Sequence, residues 1–299
     1  MEQFVQQVIN GVSLGAIYAL IALGYTMVYG ILRLINFAHG DVYMVGAFAG
    51  YYCFHWFYGG ANYGLAGLLA ALAFAMAVCG LLGYVIERFA YSRLRKAARL
   101  NALITAIGIS LLLENLGQLI FGADPKDFPA FVERTTITVG IVTISNIQLI
   151  VLITTVVLTL GLQYIVHRTK MGTAMRAVSF SHDAAGLMGI NIGRVISFTF
   201  VLGSMLAAAA GILVGLYNPK IEPLMGIMPG LKAFVAAVLG GIGNIPGAIL
   251  GGLIMGVAET FTVGYLSSTY RDAITFVILV AVLLFRPTGL LGTPQRTKF

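Results

Sequence analysis

The sequence predicts an all-α fold: a polytopic transmembrane helix bundle of about eight or nine spans, some of them broken. Three observations carry that expectation. The 299-residue chain is 59% hydrophobic and only 10% charged, whereas a soluble domain carries about 25% charged residues. So little polar surface cannot cover a water-facing protein. The apolar residues fall in runs near the roughly 20 residues that a helical crossing needs. The 37 glycines suit close helix packing and helix breaks in lipid. Alternating ten-residue strands are absent, which argues against an outer-membrane barrel.

The runs lie near 5–29, 39–57, 64–87, 100–121, 147–166, 195–217, 228–242, 246–263 and 271–285, and residues 1–299 read as one integral-membrane domain. The first run has no Lys or Arg before Arg33. It therefore lacks the basic start of a cleavable signal peptide and is expected to remain as a span. Cys53 and Cys79 sit in apolar runs without CxxC spacing and read as packing residues.

The net charge of +7 does not imply nucleic acid, because Lys and Arg in a membrane protein mark the cytoplasmic side. Arg88, Arg93, Arg95, Lys96 and Arg99 follow the third run. Arg168, Lys170, Arg176 and Arg194 lie in a polar island from His167 to Arg194, and Arg286, Arg296 and Lys298 in the tail. Those twelve of the 18 basic residues place three segments, the C-terminal one included, in the cytoplasm. The loop 122–146 is balanced in sign and is expected outside. Counting crossings between these segments puts the N-terminus outside. The weakest crossing is 228–242, which is short and ends at a glycine-rich turn.

Two stretches interrupt helices at or near the membrane. The first is Asn36-Phe37-Ala38-His39-Gly40-Asp41, and the second runs from Gly240 and Gly241 through Gly243 and Asn244 to Pro246. Freed backbone groups at membrane depth must face protein or a water-filled cavity, and paired helix breaks point to a substrate path. Both stretches read as pathway candidates. Alternatively, His39 and Asp41 form a local polar pair at a helix start, and the GxxxG spacings Gly247–Gly251 and Gly252–Gly256 are plain helix packing. Glu114 is an acid set inside an apolar run, and Glu259 is similarly placed.

In the polar island, Gly172 to Val178 can form a short helix with Arg176 on its polar side. Ser181 is a good N-cap, Asp183 suits the first turn of a second helix, and Gly189 can end it in a left-handed cap. Ala184, Leu187 and Met188 share an apolar face. The island reads either as a contact surface for a cytoplasmic partner or as a linker lying on lipid headgroups.

At these residues the chain resembles the membrane permease subunits of branched-chain amino-acid ABC importers, nearly end to end. The stretch from Asn10 to Asp41 resembles the family's N-terminal signature. The island resembles its cytoplasmic coupling segment, with Gly172, Arg176, Ala177, Asp183, Ala184, Ala185 and Gly189 at the matching places. Lys232 to Gly252 and RPTGLLG, from Arg286 to Gly292, match as well, and the wording is closer to the shorter of the two paralogous permeases. The resemblance implies a complex with a paralogous permease subunit, two cytoplasmic ATP-binding subunits and an extracytoplasmic substrate-binding protein in a bacterial inner membrane. It implies transport of leucine, isoleucine or valine, although relatives move urea, short amides or other amino acids. The chain lacks a Walker A pattern, so no cofactor is expected on it, and ATP and Mg belong to the partner ATPases. Three rival readings are weaker. An ion-coupled secondary transporter needs several polar groups at midplane. An intramembrane enzyme needs a nucleophile or a metal set, which His39, His55, His167 and His182 do not make. A passive channel would move substrate without ATP, in vesicles that lack the ATPases.

Overall fold

Helices form over the apolar runs and stop where glycine, proline or a capping side chain intervenes. The computed structural model describes residues 2–58, 64–94, 99–140 and 142–292. Helix α1 (Glu2–Leu32) is followed by α2 (His39–Tyr58) and α3 (Gly64–Ile86). A π-helical turn (Glu87–Tyr91) leads from α3 into the short α4 (Ser92–Leu94). Then come α5 (Arg99–Phe121), α6 (Asn146–Arg168), α7 (Lys170–Phe180), α8 (His182–Leu187) and α9 (Ile192–Tyr217), and finally α10 (Ile227–Gly240), α11 (Ile245–Phe261) and α12 (Ala273–Phe285).

Six segments are long and apolar enough to cross a membrane: Glu2–Leu32, Gly64–Leu94, Leu100–Phe121, Asn146–Arg168, Ile192–Tyr217 and Ile245–Leu266. The protein is thus a mostly helical, multi-pass membrane bundle. Three of the nine expected runs fall outside this group. Helix α2 has 20 residues but opens with His39, Gly40 and Asp41, and α10 and α12 have only 14 and 13 residues.

Helix α1 is the axis of the bundle. Its most apolar stretch is 94% buried, against 11% for α5, which lies at the periphery. Small residues allow the close contacts. Gly11 and Gly15 of α1 face Val257 and Leu253 of α11, where an added Cβ would come within 2.7 Å of backbone. The two GxxxG spacings have different partners: Gly247 and Gly251 pack α11 against Gly240 and Ala236 of α10, whereas Gly252 and Gly256 pack it against Ala19 and Gly15 of α1. Helices α2 and α3 pack on α9 in the same way, through Gly46 against Ala208 and Gly83 against Ser204. Cys53 and Cys79 are buried free thiols, and the Cys79 thiol donates to the Val42 carbonyl at 3.5 Å.

Two small antiparallel ladders add strand to the expected all-α fold. β1 (Lys126–Asp127) pairs with β4 (Lys220–Ile221), and β2 (Thr136–Val139) pairs with β3 (Val142–Ser145). They define one end of the bundle. The Gln6 side chain joins it by donating to the Thr143 carbonyl at 2.9 Å and accepting from the Thr143 amide at 3.0 Å. Ser145 closes the hairpin into α6 with a capping box, accepting from the Ile147 amide at 3.3 Å while Gln148 accepts from the Ser145 amide at 2.9 Å. At the opposite end, His182 of α8 meets the Ile31 carbonyl of α1 at 2.9 Å.

Candidate functional site

The first helix break follows α1. Arg33 adopts a left-handed φ of 55°, and the chain turns back without regular structure before α2 begins at His39. The Tyr91 hydroxyl donates to Asn36 Oδ1 at 3.0 Å, and the His39 amide donates to the Asn36 carbonyl at 3.1 Å. Both contacts hold the Asn36 end of the break against protein. His39 and Asp41 do not pair with each other. The His39 ring lies 3.2 Å from the Ile21 carbonyl and edge-on to Tyr25, with 4.7 Å between centroids. Asp41 instead accepts from Ser110 Oγ at 2.5 Å, and Ser110 lies 3.4 Å from Glu114 Oε1. Gly40 abuts the backbone of Gly226 and Gly230, so α2 and α10 begin against each other.

The second break joins α10 to α11. Gly241 and Gly243 take φ values of 104° and 94°, which side chains oppose. Asn244 caps α11 by accepting from the Gly247 amide at 3.1 Å. Pro246 occupies the first turn of that helix, where its missing donor costs nothing. The tail completes the turn. The amides of Leu290 and Leu291 donate to the carbonyls of Leu239 and Gly240 at 2.8 and 3.0 Å, and Asn244 Nδ2 donates to the Leu291 carbonyl at 2.7 Å.

The polar island packs as two short helices. Thr169 ends α6 and starts α7, donating to the Ile165 carbonyl at 2.5 Å and accepting from the Gly172 amide at 3.0 Å. Gly172 lies directly on the Ile165 and Val166 carbonyls, with no room for a side chain. Arg176 bridges α7 to α6 by donating to the Val166 carbonyl, and it also donates to Thr173 Oγ1 at 3.3 Å. Helix α7 runs from residue 170 to 180, longer than expected at both ends, and includes Ala177 on a half-buried face. Ser181 caps α8 through the Ala184 amide at 3.3 Å, with Asp183 in the first turn and Ala185 buried beneath it. Helix α8 ends at Leu187, and Gly189 follows with φ 81° while the Ile190 amide returns to the Ala185 carbonyl. That is the left-handed cap expected at this glycine. Phe180, Leu187 and Met188 point outward, each more than 80% exposed.

A cavity of about 600 Å³ brings two of these features together. The C-terminal turns of α1 contribute Thr26 and Gly30, the α6–α7 corner contributes His167 and Arg176, and the second break contributes Gly243, Asn244 and Pro246. Of the first break, only its edge at Arg33 reaches this cavity. Asn36, His39, Gly40 and Asp41 lie elsewhere, and Gly241 faces the tail instead. Arg95, Lys96, Arg296 and Lys298 lie outside the described residues.

A buried ionic cluster was not apparent from sequence. Lys232 of α10 pairs with Glu259 of α11 at 3.1 Å and with Asp272, before α12, at 2.6 Å. Arg271 also pairs with Glu259, and the Tyr18 hydroxyl of α1 donates to it at 2.7 Å. Half-burial opposes the charge on Arg271, but the Glu259 carboxylate outweighs it and holds the guanidinium above its ordinary range. The available signal was a lysine inside an apolar run, with an acid in the next run and an Arg-Asp pair beyond.

The family described as the branched-chain amino acid transport system permease component matches residues 7–283, from the N-terminal turns of α1 nearly to the end of α12. The chain belongs to this family. As a permease component it is a transport subunit and not an enzyme. It is 44% identical to the high-affinity branched-chain amino acid transport system permease protein LivH of Escherichia coli strain K12, across 99% of this chain and 97% of that protein. It is 43% identical to the corresponding permease protein BraD of Pseudomonas aeruginosa, across 99% and 98%. A more distant similarity, 27% identity across 74% of this chain and 68% of the other, links it to the ribose import permease protein RbsC of Escherichia coli strain K12. No solved structure matches the permease significantly.

Proposed function

We propose that this permease carries leucine, isoleucine and valine across a bacterial inner membrane as a pathway-forming subunit of an ATP-binding-cassette importer. One observation carries the mechanism: Arg176 of α7 and the turn at Gly243, Asn244 and Pro246 line the same cavity. A displacement of the island therefore reshapes a cavity that a helix break also walls.

In this reading the cavity is the cytoplasmic vestibule of the path. The island, with Gly172, Arg176, Ala177, Asp183, Ala184, Ala185 and Gly189, is the coupling segment. Its exposed Phe180, Leu187 and Met188 dock on one of two ATP-binding subunits, which hold ATP and Mg. Closure of the ATPases pulls α7, whose capped junction at Thr169 moves α6 with it as a rigid body. The paralogous permease completes the path, and a substrate-binding protein delivers the amino acid at the end built from the β1–β4 and β2–β3 ladders. The N-terminus lies at that outer end and the tail in the cytoplasm. Nine crossings result if α10 and α12 count as short spans and α2 as a broken one. The ionic cluster disfavours an ion-coupled mechanism, because Lys232 and Arg271 already neutralise Glu259 and Asp272.

The test is Arg176→Glu in the assembled complex. The substitution removes the α6–α7 bridge and reverses a charge at the vestibule. ATP hydrolysis is expected to persist while the amino acids moved per ATP fall at least roughly tenfold, as for loss of a charge-assisted hydrogen bond. Unchanged stoichiometry with normal assembly refutes the coupling role.

A further inference from the structure

We infer that the vestibule binds the carboxylate of the amino acid on the ATPase side, and that product held there slows further import. The inference rests on the transport reading above and adds a regulatory ligand to the same site.

The charge of the cavity is one-sided. Arg33, His167 and Arg176 line it, and no Asp or Glu does. None of the three takes part in an ion pair among the described residues, and the remaining residues of the chain contain no Asp or Glu at all. Arg176 spends its donors on a carbonyl and a hydroxyl, neither of which cancels its charge. The α11 N-terminus, capped by Asn244, borders the same space and adds to its positive potential.

A second, independent observation lies in the wall. Thr26 is 1% exposed, lines the cavity and leaves its Oγ1 without a hydrogen-bond partner. Buried hydroxyls are rarely left so, and a carboxylate oxygen is the acceptor it lacks. Arg33 at the rim is the one non-glycine residue with positive φ among the described residues, a strained conformation of the kind found at binding sites. The rest of the wall includes Met27, Met175, Val238 and Ile242, apolar surface suited to a branched aliphatic side chain. The volume is in the range of small-molecule sites.

The consequence is mechanical. A carboxylate bridging Arg176 on α7 and Arg33 beyond α1 ties the coupling segment to the centre of the bundle, and α7 must then move against that tie. Anionic lipid headgroups and free phosphate share the anionic chemistry, so the experiment separates them from the amino acid.

The whole complex, with its second permease, ATPases and binding protein, is placed in vesicles with the ATPases facing the bath. ATP-driven leucine movement from lumen to bath is measured while leucine, leucinol or inorganic phosphate is added to the bath. Each rate is taken relative to the same variant without additions. Leucine is expected to slow transport at least roughly fivefold, and leucinol, which lacks the carboxylate, and phosphate are expected to leave it unaffected. Arg33→Gln and Thr26→Val should each raise the half-inhibitory leucine concentration about tenfold, and Thr26→Ser should retain wild-type sensitivity. Equal slowing by leucinol or phosphate, or wild-type sensitivity in both variants, overturns the inference. Transport that proceeds but ignores bath leucine overturns this inference alone, whereas absence of ATP-driven transport overturns the transport reading with it.

Discussion

Glu259 shows what a single buried acid demands. Its carboxylate accepts from Tyr18, Lys232 and Arg271, on three different segments, and is 1% exposed. Removing one partner of a buried pair leaves an uncompensated charge at a cost of about 3–5 kcal/mol, while replacing both with apolar groups is often neutral. Lys232→Met and Glu259→Gln are each expected to lower the thermal stability of the purified complex. Lys232→Met/Glu259→Gln is expected to recover part of that loss, with a coupling of at least about 1 kcal/mol. Strictly additive losses in a double-mutant cycle contradict the pairing. At this scale the sequence was only half legible. That Glu259 lay inside an apolar run was plain, but its partners are residues 18, 232 and 271, and no local spacing connects them. The same holds for Asp41, whose hydroxyl partner Ser110 is 69 residues away, so a pairing with nearby His39 looked natural and did not form.

Local elements were far more legible, because their causes are local. The caps at Ser181 and Gly189 follow from neighbouring residues, and the structure places them as expected. The α10–α11 turn adds a long-range component in the tail. Asn244→Ala removes both the α11 cap and the bond to Leu291, and about 1–2 kcal/mol of stability should go with the cap alone; a thermal melt of the complex measures it. Bulk at Gly241 has two effects. A side chain there overlaps the backbone of Gly292 and opposes a φ of 104°, so Gly241→Leu is expected to reduce folded yield. Normal yield with blocked uptake is the result that points to the pathway instead.

For the molecule as a whole, the arrangement follows from the central place of α1. Its glycine and alanine face lets α11 approach to backbone contact, and the remaining helices pack around that pair. Composition made the membrane bundle legible, but not the number of crossings. Length rules cannot settle helices of 13 and 14 residues, or one that opens on His39 and Asp41. Nor does periodicity foretell that the loops after α5 and α9 contain paired strands, since ladders of two and four residues are too short to carry a pattern. Orientation has a direct check. Single cysteines at Thr143 and His182, in a chain whose buried native cysteines are replaced, are expected to react with impermeant reagents from opposite faces of intact cells and inverted vesicles. Labelling of both from one face is incompatible with this fold.

The tail that closes the α10–α11 turn also orders events during synthesis. Asn244 and Leu291 are 47 residues apart, and α11 and α12 lie between them. As the chain emerges from the ribosome, the carbonyls of Leu239 and Gly240 therefore wait unpartnered until two further helices have been threaded into the bilayer. The α10–α11 turn therefore completes its hydrogen bonding only after residues 290 and 291 have been made, among the last of the described chain.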